Sequence, residues 1–216
     1  MANIEKWFED FPRRCLELIA GVEQTAIQRD AIGTFSLMIA PSLLIAPYER
    51  LQTCGRRVSP QRDFDRFPEE KRRFDEAMAG PIGEAAFWQG IDPRHKSDWR
   101  YGKIFRNIKR PADWENEAGA KCHEAGFWTK DIRDVATGEV WKYLRDALSH
   151  WNVVTTDQVF RQEGYMVYLA FFSAPNDKGP WHLVVTTPES FLSFLKAWAA
   201  FLSEELPRAV FADAAA

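Results

Sequence analysis

The chain has little cysteine and no cysteine pattern. Its three cysteines, Cys15, Cys54 and Cys122, are widely spaced, odd in number and free of CxxC or CxxH spacing. That argues against a disulfide framework or a structural zinc site and predicts a reducing, cytoplasmic setting. Basic charge is not in excess either: 28 Lys and Arg stand against 31 Asp and Glu, a formal charge of −3. No global field draws a polyanion, so any nucleic-acid contact has to be a local patch. GxGxxG, P-loop and HExxH motifs are absent, which leaves nucleotide-fold and zincin enzymes unsupported, and neither a metal nor another cofactor is expected. The opening "MANIEKWFEDFPRR" carries Glu5, Glu9 and Asp10 and no apolar core, so it does not read as a signal peptide.

Long hydrophobic runs are equally scarce. Residues 31–48, "AIGTFSLMIAPSLLIAPY", are uncharged and close to the length of a membrane span, about 17 to 20 residues. Pro41 and Pro47, the hydroxyls of Thr34, Ser36 and Ser42, and the charges of Asp30, Glu49 and Arg50 at the edges predict instead a buried, proline-kinked core helix and no membrane partner. What the chain does have is apolar material: 46% of 216 residues, enough for one moderately large domain or two small ones.

Periodicity organises the rest. Residues 4–28 keep Phe8, Phe11, Cys15, Leu18, Ile19, Val22 and Ala26 at helical spacing, and the buried run continues to about Leu51 as a second helix. Residues 52–98 are rich in charge, Gly and Pro and predict a long connection with one short helix near 69–78. A third helix, "DIRDVATGEVWKYLRDALSHW", follows. The period then drops to two in "YMVYLAFFS" and "WHLVVTT", a β-hairpin at about 165–187 around the turn "APNDKGP". Thr187 as N-cap and Pro188 at the first helical position open the last helix, which carries Phe191, Leu195, Trp198 and Leu202 on one face. Residues 1–206 thus read as a single, mainly α domain and 207–216 as a loose tail.

Two segments carry candidate chemistry. Between positions 94 and 110, Arg94, Lys96, Arg100, Lys103, Arg106, Lys109 and Arg110 face only Asp98, with Trp99, Tyr101 and Phe105 among them. Basic residues interleaved with aromatics suit phosphate contact and base stacking, so Arg100, Lys103, Arg106, Lys109 and Arg110 are candidate RNA-binding residues. The plainer alternative is a helix with its aromatics inward and its charges in water. The second segment is "LRDALSHW" in the third helix. On a wheel of about 100° per residue, Val140, Leu144, Ala147, Leu148 and Trp151 form one apolar stripe. Arg145, Asp146 and Ser149 lie opposite it and His150 at its border. Asp146 and His150 are four residues apart, so the carboxylate can orient the imidazole, and the helix end favours a cation there. Histidine supplies proton transfer and arginine stabilises charge on a phosphorane-like transition state. One copy is half a site; two such helices about a two-fold axis would complete it.

"LRDALSHWNVV" resembles the signature of the HEPN superfamily: an arginine, a polar residue, three further residues and a histidine, matched by Arg145, Asp146 and His150. "LLIAPYERLQ" and the hairpin before the last helix resemble a plasmid- and prophage-borne subgroup of HEPN nucleases. The resemblance implies a HEPN-like bundle of four to five helices with an inserted hairpin. It also implies a homodimer, and a metal-independent endoribonuclease site built from Arg145 and His150 of both copies. A toxin or phage-defence role follows from it, with a cognate antitoxin or regulatory protein as possible partner. Other members of the superfamily only bind a nucleotide, an RNA or a partner protein, which keeps a non-catalytic module open. Many relatives place a small residue, often glycine, after the histidine; here it is Trp151.

Other histidines have plainer readings. His123 stands beside Cys122 and Glu124, but adjacent side chains do not converge on one metal. His182 reads as a surface or cross-strand residue, and His95 as a solvated loop group. The nine tryptophans read as core or interface.

Overall fold

The computed structural model describes residues 7–45, 68–104, 113, 130–156, 168–174 and 180–206. It is mostly helical, with a small antiparallel sheet of four strands. In chain order the elements are α1 (Trp7–Gln28), α2 (Ile32–Ala40), α3 (Pro68–Ala79), α4 (Ala86–Gln89), α5 (Pro93–Lys96) and β1 (Arg100–Ile104). They continue with α6 (Thr137–Ser149), β2 (Val153–Thr156), β3 (Tyr168–Ser173), β4 (Trp181–Thr186) and α7 (Pro188–Ala200).

α7 begins as its sequence predicts. Thr187 accepts a hydrogen bond from the Ser190 amide at 3.3 Å, and Pro188 follows at the first helical position. Its apolar face enters an aromatic core in which Trp141 lies 4.3 Å from Trp198 and 4.9 Å from Phe194, ring centre to ring centre. Phe87, Trp88 and Trp99 complete this cluster. Phe87, Trp88 and Phe74 come from the described part, 68–98, of the stretch 52–98 whose charge suggested a connection. That stretch holds the short helix expected, and its apolar positions also build the core.

The uncharged run is interrupted where proline removes a donor. α2 gives way at Pro41 to a π-helical turn, Pro41–Ile45, with Leu43 and Leu44 buried. The Trp198 indole donates to the Leu43 carbonyl at 2.9 Å. No helix among the described residues is long and apolar enough to cross a membrane. Residues 46–67, including all of "LLIAPYERLQ" after Ile45, and 207–216 lie outside the described residues.

α6 is placed by backbone bonds at both ends. At its start no side chain caps it; the Thr137 amide donates to Gly80 O at 2.8 Å and the Ile82 amide to Val135 O at 2.8 Å. The two chain segments approach so closely that a Cβ on Gly83 would meet the Arg133 Cβ at 2.8 Å. At its other end His150 is the C-cap and Trp151 takes a left-handed φ of 54°. The Asn152 amide donates to Ala147 O at 2.8 Å and the Trp151 amide to Leu148 O at 3.3 Å, a Schellman closure. This reversal delivers the chain into β2 within two residues.

The expected hairpin is present as β3 and β4, and it forms the middle of a larger sheet of order β1-β4-β3-β2. Two corrections follow. β1 occupies part of the basic segment, for which a helix was the plainer alternative: Trp99 and Tyr101 alternate with Arg100, the period of a strand. β2, which the periodicity did not signal, is a short edge strand following the α6 reversal. One face of the sheet packs against α6; the other buries Ile104, Val154, Ala170, Phe172, Leu183 and Val185.

Candidate functional site

Arg145 and Asp146 sit beside the apolar stripe of α6, both half-buried. Arg145 Nη1 donates to Asp146 Oδ1 at 2.9 Å, and Ser173 Oγ on β3 donates to Asp146 Oδ2 at 3.4 Å. The carboxylate is therefore held between the guanidinium and the sheet. His150 is exposed at the C-cap, one turn away, and its ring bonds to no described residue. Asp146 and His150 are linked through the backbone, where the His150 amide donates to Asp146 O at 3.1 Å. The structure thus brings Arg145 and Asp146 into contact and leaves the His150 imidazole open to solvent at the same helix end. Trp151 beside it is 64% exposed, so it does not serve as packing against the described core.

The basic segment divides. Arg94 donates to Asp92, the residue that caps α5, and holds that carboxylate well below its usual range, at about 2. The Lys96 ammonium donates to Gln89 O at 3.1 Å. The Arg100 guanidinium folds back on the carbonyls of Ser97 and Trp99. These charges cap and close local turns. Lys103 is different: it stands directly across from His182 in the β1–β4 ladder. Arg106, Lys109 and Arg110 lie outside the described residues.

His182 belongs to a cluster that sequence reading missed. Its Nδ1 lies 2.8 Å from the Tyr101 hydroxyl, and its ring stacks on Tyr143 of α6 at 4.1 Å between centres and 11° between planes. Burial, with Lys103 and Lys142 adding their charge, lowers its pKa from 6.5 to about 4, so it is neutral at pH 7. Burial likewise pushes the Tyr101 and Tyr143 phenols up, with Glu139 adding to both. The strand alternation of "WHLVV" was the available signal for which face His182 occupies. Its partners depend on register.

His95 is a bonded residue rather than a solvated loop group: its Nδ1 lies 3.1 Å from the buried Ser190 Oγ. No cluster of three or more metal-ligating side chains occurs among the described residues, and Cys54, Cys122 and His123 lie outside them. Comparison with known proteins finds no matching family model, no matching curated protein and no matching solved structure.

Proposed function

We propose that this chain is a metal-independent endoribonuclease of the HEPN type, working as a homodimer in the cytoplasm. In this reading α1, α2, α6 and α7 form the HEPN bundle and the sheet is its insertion. The observation that carries it is the Arg145–Asp146 pair held off the apolar stripe, one turn from an exposed His150. Desolvating a half-buried ion pair is costly, whereas a fixed guanidinium one turn from an exposed imidazole suits phosphodiester chemistry.

The step is transesterification. His150 takes the proton of the 2′-hydroxyl, whose oxygen attacks phosphorus. The bond from phosphorus to the 5′-oxygen breaks, and the leaving oxygen receives a proton from the partner subunit's copy of that histidine. The products are a 2′,3′-cyclic phosphate and a 5′-hydroxyl. Arg145 stabilises the extra charge on the non-bridging oxygens, and Asp146 positions Arg145. A toxin or phage-defence role, with a cognate antitoxin or regulatory protein, accompanies this reading through the resemblance of "LRDALSHW".

The test expresses the wild type beside Arg145→Ala and His150→Ala. Wild-type protein should arrest growth and, once purified, degrade RNA with EDTA present, and both variants should do neither. Equal cleavage by all three refutes the assignment. Tight RNA or nucleotide binding without turnover, insensitive to His150→Ala, would establish the non-catalytic module instead.

A further inference from the structure

The seam between α6 and the sheet holds basic groups that the Arg145–Asp146 pair does not use. Lys103, His182 and Ser173 form one cross-strand row, Lys103 opposite His182 and His182 opposite Ser173. Directly opposed residues in an antiparallel sheet share a face. Two contacts from α6 fix which face this is: Tyr143 stacks on His182, and Asp146 reaches Ser173. The row therefore runs from Lys103 to the carboxylate that holds Arg145.

Lys103 stands directly across from His182 on β1, Lys142 precedes the Tyr143 that stacks on it, and the charge of both disfavours a proton on the imidazole. Both are half-buried, and neither makes an ion pair among the described residues. Arg94, Arg133 and Lys196, by contrast, each close on a carboxylate, at 2.9, 2.5 and 2.8 Å. The other groups facing this spot do not neutralise it. Tyr101 and Tyr143 remain protonated, Asp146 is occupied by Arg145 and Ser173, and Glu139 pairs with neither lysine. Two half-buried cations around a neutral imidazole favour an anion. With Nδ1 facing the Tyr101 hydroxyl, Nε2 is the nitrogen left for a ligand, and the tyrosine stack fixes the ring's plane.

We propose that Lys103, Lys142 and His182 form a phosphate-binding subsite that adjoins the Arg145–Asp146 pair and holds a backbone phosphate of an RNA strand next to the one cleaved. That the phosphate belongs to RNA rests on the ribonuclease reading; that the site takes phosphate does not. The lysines act as point charges on the phosphate and His182 as the oriented donor. A bound phosphate anion opposes the field of the two lysines at the imidazole and favours its protonated form.

The test follows the histidine Cε1–H resonances of the full chain by NMR while pH is lowered. Inorganic phosphate is compared with chloride at equal ionic strength, and His182→Gln assigns the signal. In chloride His182 should stay neutral until about pH 4. In phosphate it should take up its proton at clearly higher pH. Lys103→Gln and Lys142→Gln should each weaken the phosphate response about tenfold, and together abolish it. Each should also raise the KM for RNA. Identical His182 behaviour in the two salts, or a response that survives in the double variant, overturns the subsite. RNA cleavage without a phosphate response sinks the subsite and leaves the ribonuclease reading standing. A phosphate response without cleavage does the reverse.

Discussion

The start of α7 and the end of α6 use the same residue types for opposite ends. Before α7, Asp98 accepts from Ser190 Oγ at 2.6 Å and from Thr187 Oγ1 at 3.1 Å, Thr187 caps the helix, and His95 closes on Ser190. A serine, a histidine and an aspartate are together, yet the serine stands between the other two. Its proton goes to the carboxylate, so His95 cannot act as a base backed by Asp98. Every member is spent on tying α5 to α7. At the end of α6, by contrast, His150 bonds to nothing described through its ring, and along the seam of α6 with the sheet Lys103 and Lys142 make no ion pair among the described residues. Polar groups that satisfy one another hold the fold; polar groups left over are available to a ligand.

The largest effects should separate the two regions cleanly. Arg145→Ala and His150→Ala should lower RNA cleavage about 10² to 10⁴-fold, measured as initial rate, while the exposed His150 leaves thermal stability nearly unchanged. Asp98→Ala should do the opposite. It leaves the buried Ser190 hydroxyl without its acceptor, while Thr187 keeps Ser190 Oγ, and should cost about 2–3 kcal/mol in urea unfolding, with cleavage per folded molecule retained. If Asp98→Ala abolished cleavage in a folded protein, the contrast between the regions would collapse.

Those two regions also differ in how far their sequences disclosed them. The α7 start was readable because its signals are local: Thr187, Pro188 and an apolar face within a dozen residues. The spacing of Arg145, Asp146 and His150 was readable for the same reason, since one helix fixes it, but the expected Asp146–His150 side-chain pair was not met: the carboxylate turns to Arg145 and Ser173 instead. Ser173 against Asp146, and Tyr101 and Tyr143 around His182, were not readable, because they come from separate segments whose meeting depends on strand register. β1 left a partial trace in the alternation of Trp99 and Tyr101, outweighed by the density of charge around it. β2 left none, because an edge strand of four residues takes its identity from its neighbour β3.

A pH series sharpens the comparison at the seam. His182 binds its proton near pH 4 when folded and near 6.5 when unfolded. Between those values the unfolded chain holds more protons, so stability should fall as pH drops from 6.5 toward 4 and this contribution should level off below. Allowing for solvent screening of a half-buried ring, the loss is about 1–2 kcal/mol. His182→Gln should remove that part of the slope in urea midpoints taken at pH 7, 6 and 5. Lys103→Gln should reduce it by removing one of the charges that hold the proton off. A slope unchanged in His182→Gln would place the titrating group elsewhere.

The smallest effect compares two helix ends that close in the same way. α1 ends with Ala31 N to Ala26 O at 2.8 Å and Asp30 N to Ile27 O at 3.0 Å, with Asp30 at a φ of 51°. α6 ends with the same pair of bonds around Trp151 at 54°. A left-handed residue costs about 1–2 kcal/mol for most side chains and less for Asp, whose short carboxylate tolerates that region. Glycine adopts this conformation without strain. Trp151→Gly should therefore stabilise the chain by about 1 kcal/mol, read as a rise of about 2–4 °C in Tm. Asp30→Gly should move it by only a few tenths of that amount in either direction. Equal effects at the two sites would mean that the indole, 64% exposed as it is, relieves its own strain through contacts with the surrounding chain.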